Sequence, residues 1–344
     1  MVYVNREKIN SGIVFILTKC EVSQKQAEII ADCMITADAC GVHSHGLCLF
    51  PVYINKLKKG SFNLVSEPKI EKETSAFALI DSQNTIGMFS ARFCMEYAVK
   101  KCQKSGIYFV FSKNSNTFGP AFYYTKFAAH QKKIGMCFSN SPATMPAWGG
   151  EKKILGTNPF SVAIPGNKKG PVLLDMATSI VAKSRINEIR KKGGQIPLGW
   201  AIDEFGNPTT DPVEAIKGMV LPMAGYKGYG IALIIDIVAG LMSGAGYLNH
   251  IHKFYSEKNE CMNVGQCFVA INPELLHSKE FYDEIDHYIE EVHNSGENVL
   301  LPGEHKLESA SNCEKYGLEL TDEVAEIIKK VFSDYNVAER FEEV

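Results

Sequence analysis

Helical periodicity marks both ends of this chain, and between them lies a long stretch of short apolar runs broken by turn residues. Near the start, Ser23-Gln-Lys-Gln26 has the spacing of a capping box, with the serine as N-cap and the glutamine reaching back. Ile30, Cys33, Met34 and Ala37 follow at helical spacing, and Gly41 stands where such a helix closes. Residues 50–59 form a second amphipathic stretch, ended by Gly60. Near the other end, residues 281–293 are amphipathic. There Thr321 caps a run that puts Val324, Ile327, Ile328, Val331 and Phe332 on one face. In the middle, residues 76–80, 107–111, 134–138, 160–164, 172–174 and 267–271 read as strands, with a helical segment at 91–101. The layout predicts an α+β chain. A helical domain is built from both termini, residues 1–70 plus 290–344, and an α/β domain over residues 70–290 is inserted into it. No internal repeat or low-complexity tract is present.

Composition narrows the class. The chain has 344 residues, long enough for two domains, with 45% hydrophobic and 22% charged residues, which excludes disorder, collagen and coiled coil as the main state. Thirty-six basic against 39 acidic residues give a net charge of −3, so no basic excess drives binding to nucleic acid or anionic lipid. The ten cysteines include no Cys-x-x-Cys pair and lie mostly in apolar stretches. They read as small buried hydrophobes in a reducing compartment, and the polar opening Asn5-Arg6-Glu7-Lys8 does not resemble a secretory signal. A cytoplasmic protein is expected. The most apolar run, residues 231–242, is interrupted by Asp236 and flanked by glycines. It reads as a buried core helix rather than a membrane span.

The usual dinucleotide fingerprint, Gly-x-Gly-x-x-Gly between strand and helix, is absent; Gly225-Tyr-Lys-Gly228-Tyr-Gly230 has its glycines in another order. A Rossmann domain is therefore not expected. P-loop spacing is missing too. His43 and His45, and His250 and His252, lie two apart, but no third ligand accompanies either pair, so no metal site is expected. What remains is a set of glycine-rich polar loops: Gly41-Val-His43-Ser44-His45-Gly46, Asn114-Ser-Asn116-Thr117-Phe-Gly119, Ser139-Asn140-Ser141-Pro142, Gly156-Thr157-Asn158-Pro159, Asp175-Met176-Ala177-Thr178-Ser179 and Gly225-Tyr-Lys227-Gly228. Any one alone is a turn that satisfies its own backbone. Together they suit a ligand, because glycine permits close backbone approach, small hydroxyl and amide groups reach phosphate or ribose oxygens, and lysine meets phosphate charge.

Those loops, with Trp148-Gly149-Gly150, Leu155-Gly-Thr-Asn-Pro159 and Asp203-x-x-Gly206-Asn-Pro-Thr-Thr210-Asp211-Pro, carry a resemblance to the malate/L-lactate dehydrogenase-like oxidoreductases. This family includes ureidoglycolate and sulfolactate dehydrogenases, 2,3-diketogulonate reductase and Δ1-piperideine-2-carboxylate reductase, and the resemblance spans nearly the whole chain. It implies a non-Rossmann, mostly antiparallel mixed sheet that binds the nicotinamide nucleotide beside the helical domain. It also implies an NAD- or NADP-dependent enzyme interconverting 2-oxo acids, or related imines, and 2-hydroxy acids. A homodimer with its active site near the interface goes with it. Ser141, Asp175-Met176-Ala177, Lys227 and the Gly303-Glu304-His305 turn fall at cofactor-contacting positions, and His45, beside Ser44, is the histidine of the Ser-His-Gly motif.

Two departures bear on the chemistry. Thr117 stands where the family normally carries a histidine, assigned in part of it as the acid/base, and Leu49 stands where an arginine usually pairs with the substrate carboxylate. Threonine does not titrate near neutral pH and leucine cannot hold a carboxylate. Two readings stay open. One is a working reductase with His45 as proton donor and a substrate other than the usual hydroxy acids. The other is a catalytically impaired relative that keeps the fold and nucleotide binding.

Overall fold

The computed structural model describes residues 1–256 and 260–344. Its centre is a seven-stranded sheet, here β1 (Lys69–Glu73), β2 (Phe77–Asp81), β3 (Ile107–Ser115), β4 (Ile134–Ser139), β5 (Phe160–Ile164), β6 (Val172–Met176) and β7 (Val264–Ile271), in the order β1-β2-β3-β7-β4-β5-β6. Neighbours are antiparallel except β2 and β3, which run parallel, joined by the helix Gly87–Ser105. The mixed, mostly antiparallel sheet agrees with the non-Rossmann expectation. The charged strand β1, Lys-Ile-Glu-Lys-Glu, has no counterpart among the sequence-read strands; its lysines and exposed residues suit a sheet edge.

The chain ends are tied together. Val2–Val4 pairs antiparallel with Leu318–Leu320, and the helix Arg6–Lys19 packs so closely on Asp322–Asp334 that a Cβ at Gly12 would lie 2.5 Å from the Phe332 ring. One continuous core runs from these helices (Ile9, Ile13, Ile328, Phe332) through Gln24–Ala39 (Ile30, Met34) to the inner face of the sheet (Ile80, Val110, Phe268). A smaller core of Met145, Leu155, Ile186, Ile196, Ala201, Ala215, Val220 and Ala232 lies beyond the sheet.

Local signals place element ends well. Ser23 accepts the Gln26 amide, Thr321 accepts that of Val324, and Gly41 and Gly60 adopt left-handed φ of 73° and 65° just past their helices. Two expectations need correction. The Gln26 side chain does not complete the capping box; it is buried and its Oε1 has no partner. Nor is the apolar run after Gly228 buried all round. It forms the helix Tyr226–Ile235 and continues as a π-helical segment, Asp236–Leu241. Ala232, Ile235 and Ala239 face the protein, whereas Ile231, Ile234, Ile237, Leu241 and Met242 face outward and are exposed. The cause is tertiary, since neighbouring elements cover only one side of it.

No helix among the described residues is long and apolar enough to cross a membrane. All ten cysteines are free, and seven of them are buried.

Candidate active site

Strand directions gather the polar loops. Strands β3, β4 and β6 finish at the sheet end where β5 and β7 begin, as the pairings Gln266–Ser112, Gln266–Ser139, Phe138–Phe160 and Phe160–Met176 require. Residues 114–119, 139–142, 156–159 and 175–179 therefore emerge side by side. Loops scattered over 66 residues of chain become one surface.

Side-chain amides lock them together. Buried Asn140 donates to Asp236 Oδ1 at 3.1 Å and to the Gly246 carbonyl at 2.8 Å, and accepts the Gly265 amide at 2.9 Å. Buried Asn158 accepts the Ser141 amide at 3.0 Å and donates to the Ala232 carbonyl at 2.8 Å, so Ser141 is anchored to the helix that carries Lys227. No room is spare: a Cβ at Gly156 would lie 2.1 Å from the Ser141 carbonyl oxygen. The Thr178 amide donates to Thr157 and the Met223 amide to Thr178, both at 2.9 Å, which seats the strand end after Asp175-Met176-Ala177 between those two loops. Lys227 is exposed and makes no ion pair among the described residues.

Asp175 is largely buried at the end of β6. Burial pushes its carboxyl up to about 6, against the pull of the Lys306 ammonium at 3.9 Å and a hydrogen bond from the Phe122 amide. The turn at residues 301–305 abuts the same strand. The Leu173 amide donates to the Pro302 carbonyl at 3.0 Å, and Gly303, at φ 92°, lies so near Leu173 that a Cβ there would meet its carbonyl oxygen at 2.6 Å. Glu304 is turned inward, accepting the Leu301 amide at 3.0 Å and pairing with His293 at 2.6 Å. His305 is exposed, 3.8 Å from Glu308.

Ser44 and His45 lie in a one-turn 3₁₀ segment, His43–His45, after the helix Gln24–Ala39. The Ser44 hydroxyl lies 3.0 Å from His45 Nδ1. When Nδ1–H donates to the hydroxyl oxygen, the neutral ring leaves Nε2 free to accept a proton. The residue is exposed, yet the protein packed around its ring disfavours the charged form and lowers its pKa from 6.5. Thr117 sits in the loop after β3. Its carbonyl accepts the Tyr53 hydroxyl at 3.4 Å, and a Cβ at Gly87 would lie 2.3 Å from the same oxygen, so the loop backbone is wedged in place. Tyr53 belongs to Phe50–Lys58, the helix that directly follows the Ser44-His45 segment. Leu49, at the start of that helix, packs partly buried on the main core.

Sequence reasoning missed Asp38 and Lys306, and it missed the bridging role of Asn158. The available signals are an acid among small and apolar residues at Asp38 and a cation just past the Gly303-Glu304-His305 turn at Lys306. Asn158 was read as part of a ligand-suited loop, not as the amide that ties Ser141 to the helix Tyr226–Ile235. Among the described residues, no group of three potential ligands could hold a metal ion.

Set beside known proteins, this non-Rossmann mixed sheet with glycine-rich loops at one end, together with the Ser44–His45 pair, belongs to an oxidoreductase acting on CH–OH groups. The chain belongs to the malate/L-lactate dehydrogenase family, whose model matches residues 4–329. It is 40% identical over 297 residues to an L-sulfolactate dehydrogenase from Methanocaldococcus jannaschii, covering 85% of this chain and 86% of that protein. It is 34% identical over 335 residues to a malate/(S)-sulfolactate dehydrogenase from Methanothermus fervidus, covering 97% and 98%. The solved sulfolactate dehydrogenase structure from M. jannaschii superposes with a TM-score of 0.91 over 99% of both chains, at 35% identity. Among further relatives, an Escherichia coli ureidoglycolate dehydrogenase, 31% identical, is named for NAD, and a Chromohalobacter salexigens sulfolactate dehydrogenase, 30% identical, for NADP. The cofactor class is thus a nicotinamide nucleotide.

Proposed function

We propose that the chain is an NAD(P)-dependent dehydrogenase that interconverts a 2-oxo acid, or a related imine, and the corresponding 2-hydroxy acid or amine, with His45 as the proton donor and acceptor. The observation that carries this reading is the Ser44–His45 hydrogen bond at 3.0 Å, which fixes one ring nitrogen and leaves Nε2 to face a substrate. When bound, the nicotinamide nucleotide supplies hydride exchange at the substrate carbon. The chain's own residues handle the proton and the charge. In reduction the imidazolium form of His45 gives its Nε2 proton to the oxygen, or imine nitrogen, that gains negative character, leaving a neutral ring with its remaining proton on Nδ1. In oxidation that neutral ring takes the proton back at Nε2. Ser44, accepting from Nδ1–H, holds this tautomer.

The sheet-end loops suit the nucleotide. Lys227 offers an ammonium with no competing ion pair among the described residues, Ser141 offers a hydroxyl, and close backbone at Asp175-Met176-Ala177 leaves room for a ribose or pyrophosphate. Gly303, Glu304 and His305 complete the set through the turn that abuts β6, the exposed His305 being open to a ligand while Gly303 lets the turn close on Leu173 and Glu304 shapes it.

Because Leu49 and Thr117 replace the arginine and histidine of related enzymes, we assign the preferred substrate outside malate and lactate. The second reading, an impaired family member that keeps nucleotide binding, is favoured by one observation: Leu49 is packed against the core and offers a carboxylate no cation. A screen by nicotinamide absorbance, with NADH and NADPH against 2-oxo acids and cyclic imines, decides between them. Turnover of at least one substrate that is lost in His45→Ala supports the first reading. Nucleotide binding without turnover of any substrate supports the second.

The assembly we propose is a cytoplasmic homodimer formed through the outward face of residues 226–242. A helix apolar on both sides is ordinarily covered on both, and Ile231, Ile234, Ile237 and Leu241 form an apolar face that the described residues leave exposed. No nucleic acid or membrane partner is proposed, in keeping with the net charge of −3.

A further inference from the structure

The Ser44-His45 turn is built around a buried anion. Asp38 lies in the last turn of the helix Gln24–Ala39 and is only 4% exposed. A carboxylate there faces the negative end of the helix dipole, and burial raises its pKa, so the helix gains nothing from it. Its partners explain its presence. Oδ1 lies 2.9 Å from His43 Nδ1, and Oδ2 accepts the Leu47 amide at 2.7 Å. The carboxyl also fills the space over Gly46, where a Cβ would lie 2.3 Å from its carbon. Asp38 thus grips the residue before the Ser44-His45 pair and the residue two beyond it. Glycine at 46 is what lets it come so close.

The hydrogen bond to the Asp38 carboxylate raises the His43 pKa above its usual value, against the half-burial of the ring. Ser44 and His45 themselves make no bond to Asp38; they are aimed by the backbone it pins. An acid/base ring must meet its substrate within hydrogen-bond reach, and misplacement by about 1 Å can cost about 10²-fold in rate.

We propose that Asp38 is the positioning residue for the Ser44–His45 pair, acting through His43 and the Leu47 amide and making no contact with substrate or nucleotide. This rests on His45 as the proton-transfer group, and the experiment separates the two claims. Turnover on the best substrate found is measured for wild type, Asp38→Ala, Asp38→Asn, His45→Ala and the double variant Asp38→Ala/His45→Ala, with NAD(P)H affinity followed by nucleotide fluorescence. Asp38→Ala is expected to lower kcat by about 10²-fold with nucleotide affinity unchanged. Asp38→Asn keeps the volume and the acceptor for Leu47 and is expected to recover about 10-fold of that loss. In the double variant the Asp38 change is expected to cost nothing further, because its effect runs through a ring already removed. A loss that multiplies on the His45→Ala background overturns the proposal, as does an Asp38→Ala protein with wild-type kcat. Should Asp38→Ala not fold, Asp38→Asn paired with His45→Ala supplies the same cycle. His45→Ala at the wild-type rate overturns the His45 reading itself, and the proposal with it.

Discussion

Installing the histidine and arginine that the family resemblance leads one to expect, by Thr117→His with Leu49→Arg, tests how far the chemistry of this site has diverged. The fold should tolerate both. The carbonyl of Thr117 is held by Tyr53 and wedged against Gly87, and that bond does not involve the residue's side chain. Leu49 is only partly buried against the core, so its replacement forfeits about 1 kcal/mol, half of a fully buried leucine, and the arginine stem recovers part of that by lying along the same surface. On the functional side, a charged hydrogen bond from arginine to a substrate carboxylate is worth about 1.5–3 kcal/mol, one to two powers of ten in affinity. A positioned acid is worth about 10²–10⁴ in rate. The rate term is larger, so the histidine should matter more than the arginine, unless His45 already supplies the proton. In that case the gain shrinks to the affinity term and shows in KM alone. The assay is NADH and NADPH oxidation with oxaloacetate, pyruvate and the best substrate from the screen, for wild type, both single variants and the double. Strong malate or lactate turnover by the unmodified protein would refute the reasoning. So would a folded, nucleotide-binding double variant with no gain on any 2-oxo acid.

Three further outcomes follow from the site and its surroundings. His45→Ala is expected to lower turnover about 10²-fold or more. Because burial holds its pKa below 6.5, wild-type reduction should fall as pH rises through that lowered value while oxidation rises, a crossing that kcat/KM profiles in both directions will reveal. The Asp175 carboxyl is raised from 3.8 to about 6 in the folded chain, so the fold binds more proton than the unfolded chain in that window and loses stability as pH rises through it. At neutral pH the full cost is about 3 kcal/mol, so Asp175→Asn should melt higher there, lose the advantage in acid and bind NAD(P)H more weakly; a melting difference independent of pH would contradict this. Finally, Ile234→Glu with Leu241→Glu places two charges on the exposed apolar stripe and should give a folded monomer by sedimentation, where the native chain is expected to sediment as a dimer.

Much of the architecture was legible because its signals are local. Ser23 and Thr321 cap helices through amides three residues away, Gly41 and Gly60 take left-handed angles just past helix ends, and strands at 107, 134, 160 and 172 begin where the apolar runs begin. The order of polar loops along the chain was likewise enough to bring the family into view. Gln26 shows where local reading fails: the capping spacing is present, but burying its side chain in the fold won over the second capping bond.

Other features depend on groups far apart in sequence. Strand β7 lies between β3 and β4 although more than a hundred residues separate it from either, and that insertion is what brings the Thr117 and Ser141 loops to the same end of the sheet. Asn158 belongs to a polar loop by sequence, but its bridge from Ser141 to Ala232 is made only in the fold. The surroundings of Asp38 likewise exist only once the chain folds back to bring His43, Gly46 and Leu47 around it. The run after Gly228 has apolar residues on its covered and its bare side alike, so the packing of its neighbours determined which isoleucines face water. Hydrogen-bond caps and periodicity act over a few residues, and the amino-acid order determines them. Strand order, burial of one face and the environment of a carboxylate are set by contacts that exist only once the chain has closed on itself.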